Sequence, residues 1–349
     1  MNILIIGPSW VGDMVMAQTL FICLKQQHPD CHIDVLAPDW SRPILQRMPE
    51  VRQALSFPLG HGVLDLAARR KIGKQLKGQY DQAILLPNSL KSALTPFFAG
   101  IPVRTGWKGE MRYGLLNDLR VLDKQQYPLM IERFMALAYP KGAELPKPYP
   151  RPHLDIDDVE REHALAAFEL KVGDRPVLAL CPGAEFGDSK RWPAAHYAQV
   201  AEAKIREGWQ VWIFGSKSDH PGGEEIRDAL IPGLREEVYN LAGETSLAQA
   251  IDLMSCATAV VSNDSGLMHV AAALNLPLVA VYGSTSPEFT PPLAEQVVMV
   301  RTGIECSPCF DRTCRFGHYD CLRLLKPALV IDALTDLVGT PLSLQEFTI

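Results

Sequence analysis

Seven residues, Asn263-Asp264-Ser265-Gly266-Leu267-Met268-His269, lie between two apolar runs at 257–262 and 277–282. Both runs read as buried strands, and 267–274 reads as a short helix. The polar residues would then sit at a helix start, beside the carboxyl end of a parallel strand. Unpaired backbone N–H groups and the helix dipole both favour an anion there. His269 falls in the first turn of that helix and can reach the same anion. The alternative is an ordinary capped strand–helix–strand unit with no ligand, since Asp and Ser are common N-caps. A second cluster is made of thiols. Cys306, Cys309, Cys314 and Cys321 follow a C-x2-C-x4-C-x6-C spacing with His318 among them. Such a group suggests a small structural metal clip of zinc or iron–sulfur type. A third candidate is the turn after the first apolar run, where Gly7 and Gly12 have the spacing of a phosphate loop. Asp13 and Met14 stand where that loop needs Lys and Ser or Thr. A carboxylate would repel phosphate, so this turn should serve a different substrate.

Those residues need elements to hold them. Strands are expected at 3–6, 32–37, 82–86, 177–181, 210–214, 260–262 and 278–281, with helices at 13–26 and 325–337. Alternation of strand and helix argues for parallel sheets flanked by helices. Proline and charge thicken between 140 and 162, which reads as a linker. The expected organisation is a first domain over 1–160, a second over 161–324, and a closing helix and tail over 325–349. A short echo joins the halves: LIIGPSWVGD (4–13) and LALCPGAEFGD (178–188) each run from strand through a Gly/Pro turn and an aromatic to Gly-Asp. It fits an α/β chain of two Rossmann-like, doubly wound domains facing a central cleft.

Composition removes several classes. The net charge of −6 offers no general attraction for nucleic acid. No G-x-G-x-x-G follows a strand, which argues against a dinucleotide oxidoreductase. The segment MNILIIG has neither a basic lead nor a small-residue cleavage site, so it does not read as a signal peptide. No apolar run approaches the roughly 18–20 residues that span a bilayer. A cytoplasmic protein is expected, with peripheral membrane contact at most.

Four longer segments carry a resemblance. GPSWVGDMVMAQTL at 7–20, PNSLKSALTPFFAGIPVRTGWKGEMRYGLLND at 87–118, CPGAEFGDSKRWP at 181–193 and NDSGLMHVAAALNLPLVAVYG at 263–283 resemble the bacterial ADP-heptose:lipopolysaccharide heptosyltransferases, most of all type II. The resemblance implies a GT-B glycosyltransferase. The activity implied is inverting transfer of L-glycero-D-manno-heptose from ADP-heptose to the first heptose of the lipopolysaccharide inner core. It also implies a lipid-linked anionic saccharide as acceptor, at the cytoplasmic face of the inner membrane.

Inverting transfer needs a base for the acceptor hydroxyl and stabilisation of a departing diphosphate. Asp13 sits at the family's base position; the competing reading is a carboxylate that complements its own helix dipole. Lys190 stands just before Trp192-Pro193, where the family places a phosphate-binding lysine, on a Gly187-Asp188-Ser189 loop that reads as flexible. Arg191 is a second cation. Asp264, Ser265, Gly266, Leu267, Met268 and His269 would complete the diphosphate site. Asp219 is a candidate for the ribose. Between Ile84 and Arg120 five cations (Lys91, Arg104, Lys108, Arg112, Arg120) face two anions (Glu110, Asp118), interleaved with aromatics. With Trp10, the first four of these cations are the expected acceptor contacts; a solvated loop face is the other reading. No residue pattern calls for a cofactor in the chemistry. Two competing functions remain, a sister heptosyltransferase (I or III) and a GT-B sugar-nucleotide epimerase. The latter needs a second acid/base pair, for which Glu185 is the available partner of Asp13.

Overall fold

The computed structural model describes residues 1–59, 62–173 and 175–339, and the expected tail beyond 339 lies outside these. The chain divides into two compact units, Met1–Leu154 and the residues from Asp155 onward. The first holds strands β1 (Asn2–Ile6), β2 (His32–Ala37), β3 (Val51–Ser56), β4 (Gln82–Leu85), β5 (Val103–Trp107) and β6 (Asp118–Arg120). Its helices are α1 (Val11–Gln27), α2 (Arg42–Leu45), α3 (Leu66–Gln75), α4 (Leu90–Phe98) and α5 (Met130–Met135). The second holds β7 (Val177–Cys181), β8 (Gln210–Ile213), β9 (Val238–Asn240), β10 (Ala259–Asn263), β11 (Leu278–Val281) and β12 (Val297–Val300). Around them are α6 (Asp158–Ala167), α7 (Ala194–Arg206), α8 (His220–Asp228), α9 (Pro232–Arg235), α10 (Leu247–Met254), α11 (Gly266–Ala273), α12 (Asp320–Arg323) and α13 (Pro327–Gly339).

Every strand pairing is parallel. The sheet orders are β3-β2-β1-β4-β5-β6 and β12-β11-β10-β7-β8-β9. Counted within each unit these are one order, 3-2-1-4-5-6, the doubly wound Rossmann arrangement. The order reverses between β1 and β4 in one unit and between β7 and β10 in the other. At each reversal the two following loops leave for opposite faces of the sheet, which opens a crevice at the carboxyl ends.

Why these segments become central strands is plain from their burial. Ile3, Leu4, Ile5, Ala83, Ile84, Leu85 and the whole of β7 are buried, as a parallel sheet covered on both faces requires. The edge strands were not legible in the sequence. β3 and β6 are partly exposed and lack a continuous apolar run, while β12 is an apolar run of only four residues that is itself mostly part-exposed. Helix α1 buries Met14, Val15, Met16, Ala17, Leu20, Phe21, Cys23 and Leu24, so it is apolar on nearly every side. Its first turn closes with Met14 N–H bonded to the Trp10 carbonyl at 2.9 Å.

Candidate active site

In the second unit the loops after β7 and β10 meet at the reversal. Lys190 ends a short 3-10 turn (Asp188–Lys190), and its Nζ lies 2.7 Å from Asp264 Oδ2. Asp264 is 4% exposed and also accepts from Thr285 Oγ1 at 2.5 Å. The lysine lies 4.9 Å from the Phe186 ring centroid, while the Arg312 guanidinium is 5.4 Å from the same ring. A buried carboxylate thus fixes the direction of a half-buried ammonium. Helix α11 begins beside it. Its N-cap Ser265 makes no side-chain capping bond, so the first N–H groups of Gly266, Leu267 and Met268 keep the helix's partial positive charge. His269 is buried, and desolvation pushes its pKa down to about 4, against the raising effect of Asp264. At neutral pH it is an uncharged imidazole.

The expected flexibility of the 187–189 loop is corrected by its contacts. Ser189 is buried, its N–H donates to the Arg312 carbonyl at 3.3 Å, and its Oγ donates to the Asp311 carbonyl. Ser284 donates from N to the Ser189 carbonyl at 3.2 Å and from Oγ to Ser189 Oγ at 2.9 Å. Gly187 adopts φ +151°, and a Cβ there would strike the Arg312 backbone. Below the loop, Asn263 Oδ1 accepts from Trp192 N–H at 3.2 Å and Tyr197 OH at 3.0 Å, and its Nδ2 donates to the Pro182 carbonyl at 2.6 Å.

Arg191 turns the other way. It bonds Asp219 Oδ1 at 3.0 Å and reaches the Ala184 carbonyl at 3.4 Å. Asp219 Oδ2 accepts from Ser216 N–H at 2.9 Å and Ser216 Oγ at 2.6 Å. Both Asp219 oxygens therefore have protein partners, and the residue is buried between Gly183 and Gly215. Its carboxylate is a loop cap and an Arg191 holder.

The first unit has the matching reversal at β1 and β4. Asp13 lies in the first turn of α1, behind a half-exposed Trp10. Facing it in the topology is the loop 86–89 that leads into α4. This loop is clamped from below by Arg112, which is 1% exposed. Its Nη1 donates to the Pro87 carbonyl (2.7 Å) and Ser92 Oγ (3.2 Å), and its Nη2 to Asn88 Oδ1 (3.1 Å) and the Trp107 carbonyl (2.5 Å). Burial lowers its pKa to about 10, leaving it charged at neutral pH. Arg112 is therefore an internal brace, and its expected role as an acceptor contact is corrected. Arg104 is likewise engaged, by the Leu115 and Ile101 carbonyls at 2.6 and 2.5 Å. Arg120 is held by Asp118 and by the Ala136 and Tyr139 carbonyls, each of the latter at 2.7 Å. Of the five cations, Lys91 is part-exposed and Lys108 is exposed, 5.7 Å from the Tyr113 ring, and among the described residues neither side chain bonds an internal carbonyl. The sequence did not reveal the inward arginines, because their partners are backbone carbonyls that no residue type announces.

The four clustered thiols do line one cavity of about 20 Å³, together with Ser189, Ser284 and His318. Among the described residues, however, no three His, Cys, Asp or Glu side chains are grouped so as to hold a metal ion. A structural metal at Cys306, Cys309, Cys314 and Cys321 is therefore not supported. Burial and the three neighbouring thiols push Cys321 up to about 11, toward its neutral form. What the segment does instead is support the Lys190 loop through Asp311 and Arg312. Phe310 N–H also bonds the Ser284 carbonyl at 2.8 Å.

Two doubly wound sheets, each with a polar constellation at its reversal point, define a two-Rossmann sugar-transfer class of the GT-B kind. The family model of glycosyltransferase family 9 (heptosyltransferase) matches residues 69–320, and the chain belongs to that family. It is 55% identical over 307 residues to lipopolysaccharide heptosyltransferase 2 of Escherichia coli K12, covering 86% of this chain and 88% of that protein. Over 308 residues it is 55% identical to lipooligosaccharide heptosyltransferase 2 of Haemophilus influenzae, with the same coverage. The solved structure of E. coli ADP-heptose lipopolysaccharide heptosyltransferase II superposes with a TM-score of 0.87 at 50% identity, over 97% of this chain and 99% of that one. No helix among the described residues is long and apolar enough to cross a membrane.

Proposed function

We propose that this glycosyltransferase moves L-glycero-D-manno-heptose from ADP-heptose to the first heptose of the lipopolysaccharide inner core, with inversion. The acceptor hydroxyl oxygen bonds to the anomeric carbon as the bond to the diphosphate oxygen breaks. Asp13 takes the hydroxyl proton, and ADP departs with the electron pair. Lys190 and the N–H groups at the start of α11 stabilise the charge that develops on the leaving diphosphate. The observation that carries this reading is the Lys190–Asp264 pair at 2.7 Å beside the uncapped start of α11. A lysine held by a buried carboxylate is pre-aimed, so it need not reorganise as charge appears.

In this reading the first unit, with Asp13, Trp10, Lys91 and Lys108, receives the acceptor. The second, with Lys190, Arg191 and residues 264–269, receives the donor. The two relatives from Escherichia coli and Haemophilus influenzae, both heptosyltransferase 2, support type II over its sisters. The lipid-linked acceptor places the enzyme at the cytoplasmic face of the inner membrane, in peripheral contact with it.

The test is a transfer assay with ADP-heptose and either Kdo-lipid A or heptosyl-Kdo-lipid A, reading ADP release and product mass. ADP release with the heptosylated acceptor alone is the expected outcome. Turnover on Kdo-lipid A alone would move the assignment to the sister enzyme that adds the first heptose.

A further inference from the structure

Residues 62–77 contribute nothing to the site described above, yet their surface is unusual for this chain. The loop before α3 exposes Val63 (46%) and Leu64 (54%), and the helix opens on Leu66 (52%). Scattered exposed apolar residues need no explanation, but three within four positions form a patch. Behind them, Arg70, Lys71, Lys74 and Lys77 are all exposed. Ala67, Arg70, Lys71 and Lys74 follow the i, i+3, i+4, i+7 spacing that puts them on one helix face, and they line a single open surface with Leu66. From Gly62 to Gln79 five cations stand against one anion, Asp65, in a chain whose net charge is −6.

The patch is built rather than left over. Arg69, 4% exposed, sends its guanidinium back under the loop, to the Leu64 carbonyl at 2.5 Å, the Val63 carbonyl at 2.9 Å and the Lys91 carbonyl at 3.0 Å. Asp65 takes φ +27°, a strained value for a non-glycine residue, and caps α3 by accepting from Ala68 N–H at 2.9 Å. On the opposite face Gly73 brings α3 against α4 so closely that a Cβ would meet Phe98 and the Thr95 carbonyl. A buried arginine and a strained cap thus fix a loop whose apolar side chains face solvent.

We propose that Val63, Leu64, Leu66 and the Arg70–Lys71–Lys74–Lys77 stripe form the surface that docks on an anionic phospholipid bilayer. An apolar tip of this size enters the boundary between headgroups and acyl chains, while the cations behind it lie over lipid phosphates. The charge of the patch, opposite to that of the chain as a whole, fits an anionic surface. The adjacent apolar trio fits the bilayer interior, which a nucleic acid does not offer. The same Arg69 guanidinium binds the docking loop and the backbone of Lys91, so docking is continuous with the proposed acceptor side. This inference rests on the lipid-linked acceptor of the proposed function.

The experiment is co-sedimentation of the full chain with vesicles of phosphatidylcholine, with and without phosphatidylglycerol, across a salt series. Binding is expected only with phosphatidylglycerol and should weaken with salt. Lys71→Glu with Lys74→Glu should lower vesicle affinity by at least ~20-fold, each cation being worth about fivefold. Leu64→Ser with Leu66→Ser should remove the binding that survives high salt. Both variants should unfold thermally as the parent does and turn over a deacylated acceptor saccharide at the parent rate, while losing apparent affinity for acceptor embedded in vesicles. Parent-like vesicle binding by both variants overturns the proposal, as does binding of the parent to neither vesicle. Equal loss on the deacylated saccharide also overturns it, because the damage would then lie in the acceptor site. Failure of the parent to transfer heptose to any acceptor would sink the proposed function, whereas the vesicle result would still decide the docking surface.

Discussion

The two halves of this molecule share one strand order and place their polar residues at the same topological position, yet one presents an acid there and the other a cation paired with an acid. At the β1–β4 reversal the residue on the helix start is an acid, Asp13. At the β7–β10 reversal the loop after β7 brings a cation, Lys190, onto the buried acid Asp264 beside the start of α11. The bracing differs as well. In the first unit a buried guanidinium, Arg112, gathers the carbonyls of the loop. In the second a buried amide, Asn263, serves the same purpose and brings no charge near the diphosphate position. A common scaffold supplies crevice and helix start; the sign of a few side chains decides whether the crevice takes a proton or holds an anion.

The contrast breaks most directly at Asp13. Asp13→Asn should lower kcat by about 10³-fold or more, within the range for a lost general base, with ADP-heptose affinity unchanged by calorimetry. Full activity in that variant would reduce the residue to a complement of its helix dipole. Lys190→Ala should cost about 10²–10³-fold in kcat/KM and also weaken ADP binding, since its charge meets the diphosphate before and during bond cleavage. Arg112→Met tests the brace. It leaves buried carbonyls without donors and should destabilise the protein by about 3 kcal/mol in urea unfolding, with no selective change in acceptor KM in the folded fraction. A selective rise in acceptor KM would restore the direct contact that its burial argues against.

Asp264→Asn sharpens the comparison more gently. Lys190 keeps its charge but loses its partner, so kcat should fall about tenfold, and Asp264→Glu should recover part of it. The smallest effect is on stability in acid. Burial holds His269 at about 4, below its ordinary 6.5. Between those values the unfolded chain binds a proton that the native chain does not, so stability falls as pH drops through 6.5 toward 4. His269→Asn should flatten that part of a pH–Tm profile. An unchanged slope would mean that the ring protonates in the folded state.

Much of this was legible in the sequence for a physical reason. Central strands such as 3–6 and 177–181 must be apolar on both faces, and helix starts such as 263–266 advertise themselves with capping residues. Edge strands are half-solvated, so β3 and β6 leave no such pattern. Within the site, types and spacing pointed to Lys190 and Asp264, but not to their bond, which joins residues 74 apart in the chain. The positive segment at 84–120 misled in the other direction. Charge counts treat each arginine as facing solvent, and three of these face carbonyls. The cysteine spacing did announce a cluster, since the four thiols share one small cavity, but among the described residues no three of those donors are grouped to hold a metal ion.

Those ties also bear on the order in which the protein is made. Ser189 leans on Asp311, 122 residues further along, and Trp192 Nε1–H bonds the Leu325 carbonyl, 133 residues further along. A ribosome adds residues from one end only, at roughly 5–20 per second. The loop that carries Lys190 therefore waits on the order of ten seconds after its own synthesis for the segment that shapes it. Nascent chains halted before about residue 325 should have a finished first sheet and no grip on the nucleotide.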